Sequence, residues 1–377
     1  MRESRLSLRR IVQLSKYYPP EWGGIETVAR DLSVGLSRRG FNSRVVAFTK
    51  RNAETIVIDG VELVRCKERA NIASQPLSFA WLRAARRAIF KSDVVIMDWP
   101  NLLPAILVPF LGRRPLLIFW HSDVIGKGIL GAVLLPIQQM LLHRATRVMT
   151  TTEDYRNGSR QLAKFRHKTV ALPIGIGDPL VSFVPVTVPD SITRFLDGRS
   201  YLIAVGRLVP YKGFDQLVTA MAAIDDGFVL VIVGEGPMQY ELEKLIITKG
   251  LVDRVLLAGR VPRDALDTLL SRATLYVMSS NQRSEAFGVV QLEAMAHGLP
   301  IIATDVPRSG VAWVSGYGST GALVPINDPT AIANAANRIL QGSDRAALSL
   351  HSRQRFESEF TVDKMLDRFE QILADLD

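Results

Sequence analysis

The chain has 377 residues, a length typical of two domains, and its 47% hydrophobic and 22% charged residues make an ordinary globular composition. The net charge of +9 is unevenly distributed, because residues 1–180 carry +14 and residues 181–377 carry −5. This imbalance indicates a polyanionic partner for the first half, either nucleic acid or an anionic membrane, and a solvated arginine-rich surface is the alternative. The single cysteine, Cys66, excludes an internal disulfide and a Cys-rich metal site, and it favours a reducing cytoplasm.

The beginning of the chain is basic from Met1 to Arg10, but Gln13 and Lys16 interrupt the apolar run that follows. We therefore expect no secretion signal. Two later apolar stretches, 102–111 and 129–137, are much shorter than the roughly 20 residues of a spanning helix. They are expected either in a core or in contact with a membrane interface.

Short β-rich runs alternate with helical runs in the first half, and this alternation predicts a parallel sheet. One helix is predicted from apolar residues on a single face between Ile25 and Leu36, and Gly40 ends it. Residues 54–66 are predicted as a hairpin or extended pair that turns at Asp59 and Gly60. The predicted strands are Ile11–Ser15, Arg44–Thr49, Val94–Asp98, Leu116–His121, Arg147–Thr151 and Thr169–Leu172.

A proline-containing stretch without clear periodicity separates the first half from a second alternation of strands and helices. The predicted division is a first domain of residues 1–180, a linker of 181–198, a second domain of 199–358 and a final helix of 359–377. The predicted strands of the second domain are Tyr201–Val205, Val229–Val233, Val255–Leu257, Leu275–Met278 and Ile301–Thr304. Its predicted helices are Phe214–Ile224, Met238–Lys249, Asp264–Ser271, Phe287–His297 and Asp328–Leu340. Two similar α/β halves favour a ligand at the carboxyl ends of their strands.

The first motif is the loop Tyr17–Glu26, in which Gly23 and Gly24 open the first helix after a strand. Glycines let a substrate approach the backbone, and a helix amino terminus offers free N–H groups to phosphate. A glycine turn with a helix cap explains the same residues equally well.

The second motif is Gly206–Gly213, which again lies between a strand and a helix and carries Arg207 and Lys212. Two fixed cations beside a helix terminus suit a diphosphate leaving group, on which negative charge grows as a sugar bond breaks. The alternative is two exposed basic residues on a loop. The nearby Gly234–Pro237 resembles a dinucleotide fingerprint but has Gln239 in place of the third glycine, so only a tight turn is predicted there.

The most specific stretch is Ser284–Pro300, in which Glu285 precedes an apolar helix and Glu293 lies within it. A carboxylate on a buried helix costs free energy unless it is paired or hydrogen-bonded, and the hydroxyls of a ribose or hexose would supply such bonds. A salt bridge to a nearby arginine is the alternative for Glu293. A favourable interaction with the helix dipole is the alternative for Glu285.

Glu285 and Glu293, with seven residues between them, resemble the E-x7-E motif of the family 4 (group 1 type) retaining glycosyltransferases. Four further segments resemble the same family in the same order. They are the loop Gly206–Gly213, the turn Gly234–Pro237, the segment Gly259–Pro262 and the loop Tyr17–Glu26, called the glycine loop below. The likeness covers almost the whole chain and implies the α/β GT-B fold: two Rossmann-like domains with parallel sheets, facing each other across an interdomain cleft.

The resemblance implies that Arg207 and Lys212 hold the donor diphosphate, that Glu285 contacts sugar hydroxyls, and that Glu293 binds the ribose. It also implies contacts from the backbone to the donor. The nucleobase would meet the backbone of Arg260 and Val261, and the sugar would lie near the backbone of Ala286, Phe287 and Gly288. Gly23 and Gly24 would face the phosphates from the first domain.

His121 ends a first-domain strand and matches a family histidine near the transferred sugar, although a structural histidine is the alternative. The final helix would cross back onto the first domain. One departure is Pro173–Asp178, where the family often has an asparagine that this chain lacks.

No carboxylate nucleophile is evident, so we expect front-face attack assisted by the departing phosphate, as in similar enzymes. No cofactor is expected beyond the nucleotide-sugar co-substrate. A metal is not expected either, because the Asp-x-Asp pattern occurs only at Asp375–Asp377 and no cluster has ligand spacing.

A basic, apolar-rich first domain suits work on lipid-linked glycans at the inner membrane face, in bacterial lipopolysaccharide or polysaccharide synthesis. The basic residues expected to meet anionic headgroups are Arg83, Arg86, Arg87, Lys91, Arg113 and Arg114. The glycine-loop motif resembles bacterial O-antigen mannosyltransferases, which makes GDP-mannose the first expectation for the donor.

The alternatives are a UDP-sugar-dependent transferase with a soluble acceptor and a GT-B nucleotide-sugar epimerase. A nicotinamide dehydrogenase is disfavoured because no complete G-x-G-x-x-G follows a strand. A nucleic-acid partner explains the charge but not the glutamates, and no reader module is recognisable, so we expect none.

Overall fold

The structure is a computed structural model that describes residues 9–21, 23–72, 75–123 and 128–376, with the side chains of 128–134 left aside. Most of the basic segment 1–10, and Trp22 of the glycine loop, lie outside the described residues. The chain forms two compact units, residues 1–177 with 361–377, and residues 178–360.

The first unit contains a sheet of eight strands in the order β10-β9-β8-β7-β1-β2-β4-β3. All neighbours are parallel except β3 and β4, which form the predicted hairpin, with Asp59 (φ 51°) and Gly60 (φ 80°) in its turn. The strands are β1 (Arg10–Leu14), β2 (Asn42–Thr49), β3 (Glu54–Ile58), β4 (Val61–Lys67), β5 (Ala70–Ile72), β6 (Gln75–Leu77), β7 (Val94–Trp99), β8 (Leu116–Trp120), β9 (Arg147–Thr150) and β10 (Thr169–Ala171), of which β5 and β6 form a separate antiparallel pair. The helices that precede the second unit are α1 (Gly24–Arg38), α2 (Phe79–Phe90), α3 (Gly128–Arg144) and α4 (Glu153–Gly158), with 3-10 helices at Leu103–Phe110 and Ala163–Lys168.

The core of this unit is the middle of the sheet, where every residue of β7 and β8 is buried. Such near-continuous apolar runs are typical of parallel strands that are covered on both faces. The amphipathic helix α1 packs against the last helix of the chain: a Cβ atom added to Gly35 would lie 2.5 Å from Leu366 Cδ1. The carboxyl-terminal residues 361–377 are therefore part of this unit.

The second unit contains six parallel strands in the order β13-β12-β11-β14-β15-β16. These strands are β11 (Ser200–Val205), β12 (Phe228–Val233), β13 (Val255–Gly259), β14 (Leu275–Met278), β15 (Ile301–Thr304) and β16 (Gly321–Val324). The remaining α-helices are α5 (Asp190–Leu196), α6 (Phe214–Ala220), α7 (Gln239–Thr248), α8 (Arg263–Arg272), α9 (Val289–Ala296), α10 (Val311–Val314), α11 (Pro329–Gln341), α12 (Arg345–Glu359) and α13 (Val362–Ala374), the last of which belongs to the first unit. Short 3-10 helices lie at Pro179–Val181, Pro210–Lys212, Met221–Ala223 and Gly316–Gly318.

Residues 181–198, predicted as a linker, group with the second unit and include α5, which buries Ile192. A helix of seven residues makes only two turns, too few for a visible apolar period. Strand β16 and helix α12 are among the other elements that had no sequence prediction. Strand β16 has four residues, and α12 buries only Ser352 and Phe356, so neither shows periodicity.

The first apolar stretch, residues 102–111, is largely a 3-10 helix that buries Leu103 and Leu107 and exposes Ile106. The second stretch begins in α3, where side chains up to residue 134 are not described. Across the described residues, no helix combines the length and the apolar character that crossing a membrane requires.

Candidate functional site

The loop between β11 and α6 is held in shape by two glycines. Gly213 has φ 63°, and a Cβ atom there would lie 2.1 Å from the carbonyl oxygen of Ser279, so no larger residue fits. A Cβ atom on Gly206 would lie 3.1 Å from Lys212 Cε, because the lysine side chain folds back over this glycine. The loop therefore places Lys212 against the carboxyl end of β11.

Lys212 and Glu285 form an ion pair in this loop, with 2.5 Å between Nζ and Oε2 and with side chains only 11% and 12% exposed. The Ser280 hydroxyl donates to the same carboxylate oxygen over 3.3 Å. Burial lowers the pKa of Lys212, but the attraction of Glu285 outweighs it and the pKa is raised overall. The site therefore holds a fixed ammonium group beside a carboxylate.

Arg207, by contrast, is exposed, and its guanidinium has no hydrogen bond or ion pair to any of the described residues. It lies near the same pair, because the charges of Lys212, Glu285 and Arg207 all act on the hydroxyl of Tyr211, whose pKa burial raises. Three of the predicted site residues thus share one neighbourhood, and Arg207 alone among them presents a solvated cation.

Glu293 lies on α9 and accepts a hydrogen bond from Arg263 Nη1 over 2.7 Å. Arg263 also donates to both carboxylate oxygens of Asp267, and although burial lowers its pKa, the two acids raise it overall. The salt bridge considered as an alternative for Glu293 is therefore present. Its other carboxylate oxygen is not used by Arg263.

The two glutamates of the E-x7-E motif both act on one buried tyrosine. Burial raises the pKa of Tyr276 on β14, and the charges of Glu285 and Glu293 add to that rise. The charges of both carboxylates therefore act near β14, the strand that precedes the loop carrying Glu285 and the helix carrying Glu293.

The strands β11, β12 and β13 end close together in glycines. A Cβ atom on Gly234 would lie 1.9 Å from the carbonyl oxygen of Gly206, and Gly234 donates its N–H to Gly259 over 2.9 Å. Arg260 and Val261, predicted to meet a nucleobase through their backbone, follow Gly259 directly, with Arg260 exposed and Val261 half-buried. The glycines therefore let the ends of these strands approach one another closely.

The segment Ala286–Gly288 is buried and firmly held by its surroundings. Gly310 donates its N–H to the carbonyl of Ala286 over 2.8 Å. Gly288 has φ 79°, and a Cβ atom there would lie 2.7 Å from Met278 Sδ. These contacts fix the backbone that connects Glu285 to α9.

The predicted site residues of the first unit lie at the carboxyl ends of its strands. Gly23 precedes α1 and Gly24 is its first residue. A Cβ atom on Gly23 would lie 2.3 Å from Glu26 Oε2, so the glutamate folds over the glycine. Burial raises the pKa of Glu26. His121 follows β8, is 7% exposed, and has Nε2 3.4 Å from Asp98 Oδ1.

Two residues of these sites had no sequence prediction of a role. Asp98 is the single acid in the otherwise apolar strand Val94–Trp99, and that contrast was a usable signal. Arg263 stands four residues before Asp267, a spacing that pairs charges on a helix. Its second partner, Glu293, lies 30 residues away and only the fold reveals it.

A metal centre was not predicted from the sequence. In the described part of the chain, no three or more His, Cys, Asp or Glu side chains lie together as metal ligands would. The cations that the candidate site offers to an anionic ligand are those of Arg207 and Lys212.

The arrangement suits an anionic, hydroxylated ligand. Open α/β sheets bind ligands outside the carboxyl ends of their strands, where this chain places a buried lysine, a solvated arginine and two half-buried glutamates. Cations bind phosphate oxygens, and carboxylates accept hydrogen bonds from sugar hydroxyls.

Two family models match the chain. The model described as glycosyl transferases group 1 matches residues 190–357, and the model described as a glycosyl transferase 4-like domain matches residues 23–175. Together these matches span most of both units.

Curated relatives and a solved structure agree with these models. The chain is 28% identical over 365 residues to O-antigen chain mannosyltransferase C of Escherichia coli, covering 96% of each chain. It is 29% identical to a GDP-mannose-dependent alpha-(1-6)-phosphatidylinositol monomannoside mannosyltransferase of Mycobacterium tuberculosis, covering 87% of this chain and 81% of that protein. Sucrose-phosphate synthase from Thermosynechococcus elongatus has a similar fold, with a TM-score of 0.78, 23% identity and coverage of 98% and 99%.

The two models, the relatives that are similar over nearly full length, and the pair of parallel-sheet units agree with the likeness seen in the motifs. The chain belongs to the group 1, family 4-like glycosyltransferases and has the GT-B fold.

Proposed function

We propose that this glycosyltransferase moves a hexose, first of all mannose from GDP-mannose, to a lipid-linked glycan in bacterial lipopolysaccharide or polysaccharide synthesis. The transfer retains the configuration of the donor, needs no metal, and takes place at the inner face of the cytoplasmic membrane. The observation that carries the proposal is the buried Lys212–Glu285 pair beside the solvated Arg207.

The donor diphosphate binds Lys212 and Arg207 in this proposal. The ammonium of Lys212 is already neutralised by Glu285, so Arg207 supplies the additional positive charge as the pyrophosphate leaves. Glu285 keeps Lys212 in place and offers its remaining lone pairs to sugar hydroxyls. The free oxygen of Glu293 accepts from a ribose hydroxyl while Arg263 holds the other oxygen.

Retention follows front-face attack in this proposal. The acceptor hydroxyl reaches the anomeric carbon from the side of the departing phosphate, which takes the hydroxyl proton. Phosphate charge is met by fixed cations rather than by a metal ion. Activity that is abolished by EDTA and restored by a divalent ion would contradict this part of the proposal.

The choice of mannose and of GDP rests on the functions of two relatives. The Escherichia coli relative is an O-antigen chain mannosyltransferase, and the Mycobacterium tuberculosis relative is GDP-mannose-dependent. A ligand that binds only the folded state raises the melting temperature. At a concentration one hundred times its Kd, it increases the free energy of unfolding by about 2.7 kcal/mol. A thermal-shift panel of GDP-, UDP-, ADP- and dTDP-sugars tests the choice, and a larger shift with UDP-sugars would favour the UDP-dependent alternative.

The transfer itself is tested with GDP-mannose labelled in the sugar. Incorporation into a lipid-linked glycan supports the proposal, whereas incorporation only into water-soluble oligosaccharides would make the acceptor soluble. A new epimer formed from the donor alone would instead indicate an epimerase. No reaction with any nucleotide sugar would contradict the function as a whole.

The membrane part of the proposal rests on the surface formed by α2 and the 3-10 helix at Leu103–Phe110. Phe79 and Ile106 are 88% and 57% exposed there. The Arg86 guanidinium lies 4.5 Å from the ring centre of Phe110 and 5.4 Å from that of Phe90, and the Arg114 guanidinium also stacks on Phe90. The further exposed cations of this surface are Arg83, Arg87, Lys91 and Arg113.

Exposed rings among arginines suit a bilayer interface, because the rings enter the headgroup layer while each cation gains about 1 kcal/mol from anionic lipid. Flotation with vesicles of phosphatidylglycerol and phosphatidylcholine at low salt tests this. Binding should weaken in the double variant Phe79→Ser with Arg83→Glu. The matched double variant Tyr240→Ser with Lys244→Glu, at exposed positions of the second unit, should still float. Equal loss in both, or no binding by the unaltered protein, would remove the membrane from the proposal.

A further inference from the structure

Asp98 is a buried carboxylate at the carboxyl end of β7, with 2% of its surface exposed. Gln13 Nε2 donates to both of its oxygens, over 3.2 and 3.1 Å, and the hydroxyl of Ser15 donates to Oδ2 over 2.6 Å. The imidazole Nε2 of His121 lies 3.4 Å from Oδ1. The carboxylate is thus surrounded by donors on one side and by the histidine on the other.

Strand register brings these four residues together from three neighbouring strands. Leu14 of β1 pairs with Met97 of β7, so Ser15 and Asp98 come next in line. Trp99 of β7 pairs with Trp120 of β8, and His121 donates its backbone N–H to Trp99 over 3.3 Å. The positions are therefore fixed by the centre of the sheet and not by a mobile loop.

The ring of His121 is held in orientation as well as in position. It stacks on Phe119, two residues earlier, with 4.3 Å between ring centres and 23° between planes. The imidazole is 7% exposed, and its edge that carries Nε2 is directed at Asp98. A ring held in this way leaves only its other nitrogen, Nδ1, to interact with a ligand.

A carboxylate only accepts hydrogen bonds, so the nitrogen that faces Asp98 must carry the proton. Nδ1 of the neutral ring is then left with a lone pair and can accept a hydrogen bond from a hydroxyl. The partner of one ring nitrogen thus decides what the other can do, as it does for histidines that bind metals or act in catalytic triads.

We propose that Asp98 is a positioning residue for sugar transfer: it fixes the Nε2–H tautomer and the orientation of His121, so that Nδ1 accepts a hydrogen bond from a hydroxyl of the reacting sugar. This inference rests on the proposed function, because it takes His121 as a residue that touches the sugar. A buried carboxylate costs free energy that an apolar residue in this strand would not, which is consistent with a functional reason for its presence.

The variant Asp98→Asn keeps the shape of the side chain and changes its hydrogen bonding. The new amide can donate to Nε2, which shifts the proton of the neutral imidazole to Nδ1 and turns the acceptor into a donor. We expect kcat to fall by about 10²- to 10⁴-fold, the range seen when a histidine loses its partner or its role in catalysis, with KM for the donor changed by less than about threefold.

The decisive measurement is a double-mutant cycle with His121→Ala. If Asp98 acts through His121, Asp98→Asn lowers kcat in the unaltered background and has no further effect once His121 is replaced. Losses that multiply would show that Asp98 acts independently and would overturn the inference. Asp93→Asn is the matched control, because Asp93 directly precedes the same strand, pairs with Arg10, and is outside the site, so its replacement should leave kcat unchanged.

The tautomer can be observed without any enzymatic reaction. Long-range proton–nitrogen NMR separates the two ring nitrogens, and His121 is assigned among the five histidines by its loss in His121→Ala. The unaltered protein should carry the proton on Nε2 when the ring is neutral, and Asp98→Asn should move it to Nδ1. A proton on Nδ1 in the unaltered protein would overturn the inference even if Asp98→Asn failed to fold. A protein with the expected tautomer but no sugar transfer would contradict the proposed function and leave the Asp98–His121 pair standing.

Discussion

Lys212 and Arg207 show how one loop gives two cations different properties. Lys212 is 89% removed from solvent in its side chain, paired with Glu285, and held over Gly206, whereas Arg207 is exposed and unpaired within the described chain. A buried pair contributes little net charge to a ligand, because each partner already neutralises the other. An arginine in solvent brings a full charge and a bidentate donor face to an incoming phosphate.

Replacement of Arg207 by alanine should therefore affect the chemical step more than ground-state binding. The loss of one donor to a growing negative charge lowers kcat by about 10²- to 10³-fold. We expect KM for the acceptor to change by less than about threefold, since no acceptor contact is assigned to Arg207. Initial rates measured at varied donor and acceptor concentrations give both constants. Arg283→Ala, which replaces a second arginine of the same unit, is measured as the comparison variant. Normal turnover by Arg207→Ala would remove this residue from the mechanism.

A second ion pair, between Asp178 and Arg353, gives stability a pH dependence. Arg353 donates to both carboxylate oxygens over 2.9 and 2.5 Å and thereby lowers the pKa of Asp178. An acid whose pKa is lower in the folded state stabilises the fold above its unfolded pKa, near 3.9, and loses this contribution as the pH falls through the folded value.

Asp178→Asn should lower the free energy of unfolding by about 1–2 kcal/mol at neutral pH, because the pair is partly solvated and partly screened. The difference from the unaltered protein should shrink as the pH falls below about 3.9 and vanish only below the lowered folded-state pKa of Asp178, where the carboxylate is protonated in both states. Urea unfolding at several pH values measures it. Asp344→Asn, which breaks the more exposed pair with Arg338, should cost less than about 1 kcal/mol. A difference for Asp178→Asn that stays constant with pH would contradict the prediction.

At the scale of elements, the site is built where strands pass into helices. The loops after β11 and β14 belong to neighbouring strands, so Lys212 and Glu285 meet although 73 residues separate them. Gly213 makes this meeting possible, because only a residue without a side chain lets α6 begin against the carbonyl of Ser279. The position of α6 and of the Lys212 side chain therefore depends on one glycine.

Gly213→Ala should destabilise the second unit by more than the cost of a positive φ alone. An L-residue in the left-handed region costs about 1–2 kcal/mol, and the contact of 2.1 Å with the Ser279 oxygen adds displacement of the backbone. The matched control is Gly250→Ala, which has φ 67° and no atom within 4 Å of the added Cβ. Chemical denaturation should show the larger loss for Gly213→Ala, together with weaker donor binding. Equal losses would mean that the surroundings of Gly213 can yield.

At the scale of the whole molecule, the chain leaves the first unit after Gly177 and returns to it at Thr361. Helix α13 then buries Met365, Leu366 and Phe369, and a Cβ atom on Gly35 of α1 would fall within 2.5 Å of Leu366. The first unit thus includes a helix that is far away in sequence from the rest of the unit.

Leu366→Ala should lower the stability of the first unit by about 2–5 kcal/mol, the usual cost of a buried leucine truncated to alanine. Trp81, Trp99 and Trp120 are buried in this unit, so tryptophan fluorescence during denaturation reports mainly on it. Leu350→Ala, at a position that is 56% exposed, should change stability by less than about 0.5 kcal/mol. A loss for Leu366→Ala as small as that of Leu350→Ala would show that α13 contributes little.

Sequence patterns predicted the two α/β units, most of their strands, the hairpin at Asp59 and Gly60, and the family, because these depend on local patterns and contiguous motifs. It also pointed to Arg207, Lys212, Glu285, Glu293 and His121 as site residues, although their roles in transfer remain predictions. Local patterns failed where an element was too short or too polar to show a period, as for α5, β16 and α12.

The pairing of side chains across the site is visible only in the folded chain. Lys212 pairs with Glu285, Glu293 with Arg263, and His121 with Asp98, and these partners lie between 23 and 73 residues apart. The physical reason is that strand order and register, set by burial of whole sheets, bring the ends of distant strands to one edge, whereas composition and spacing describe only neighbours along the chain.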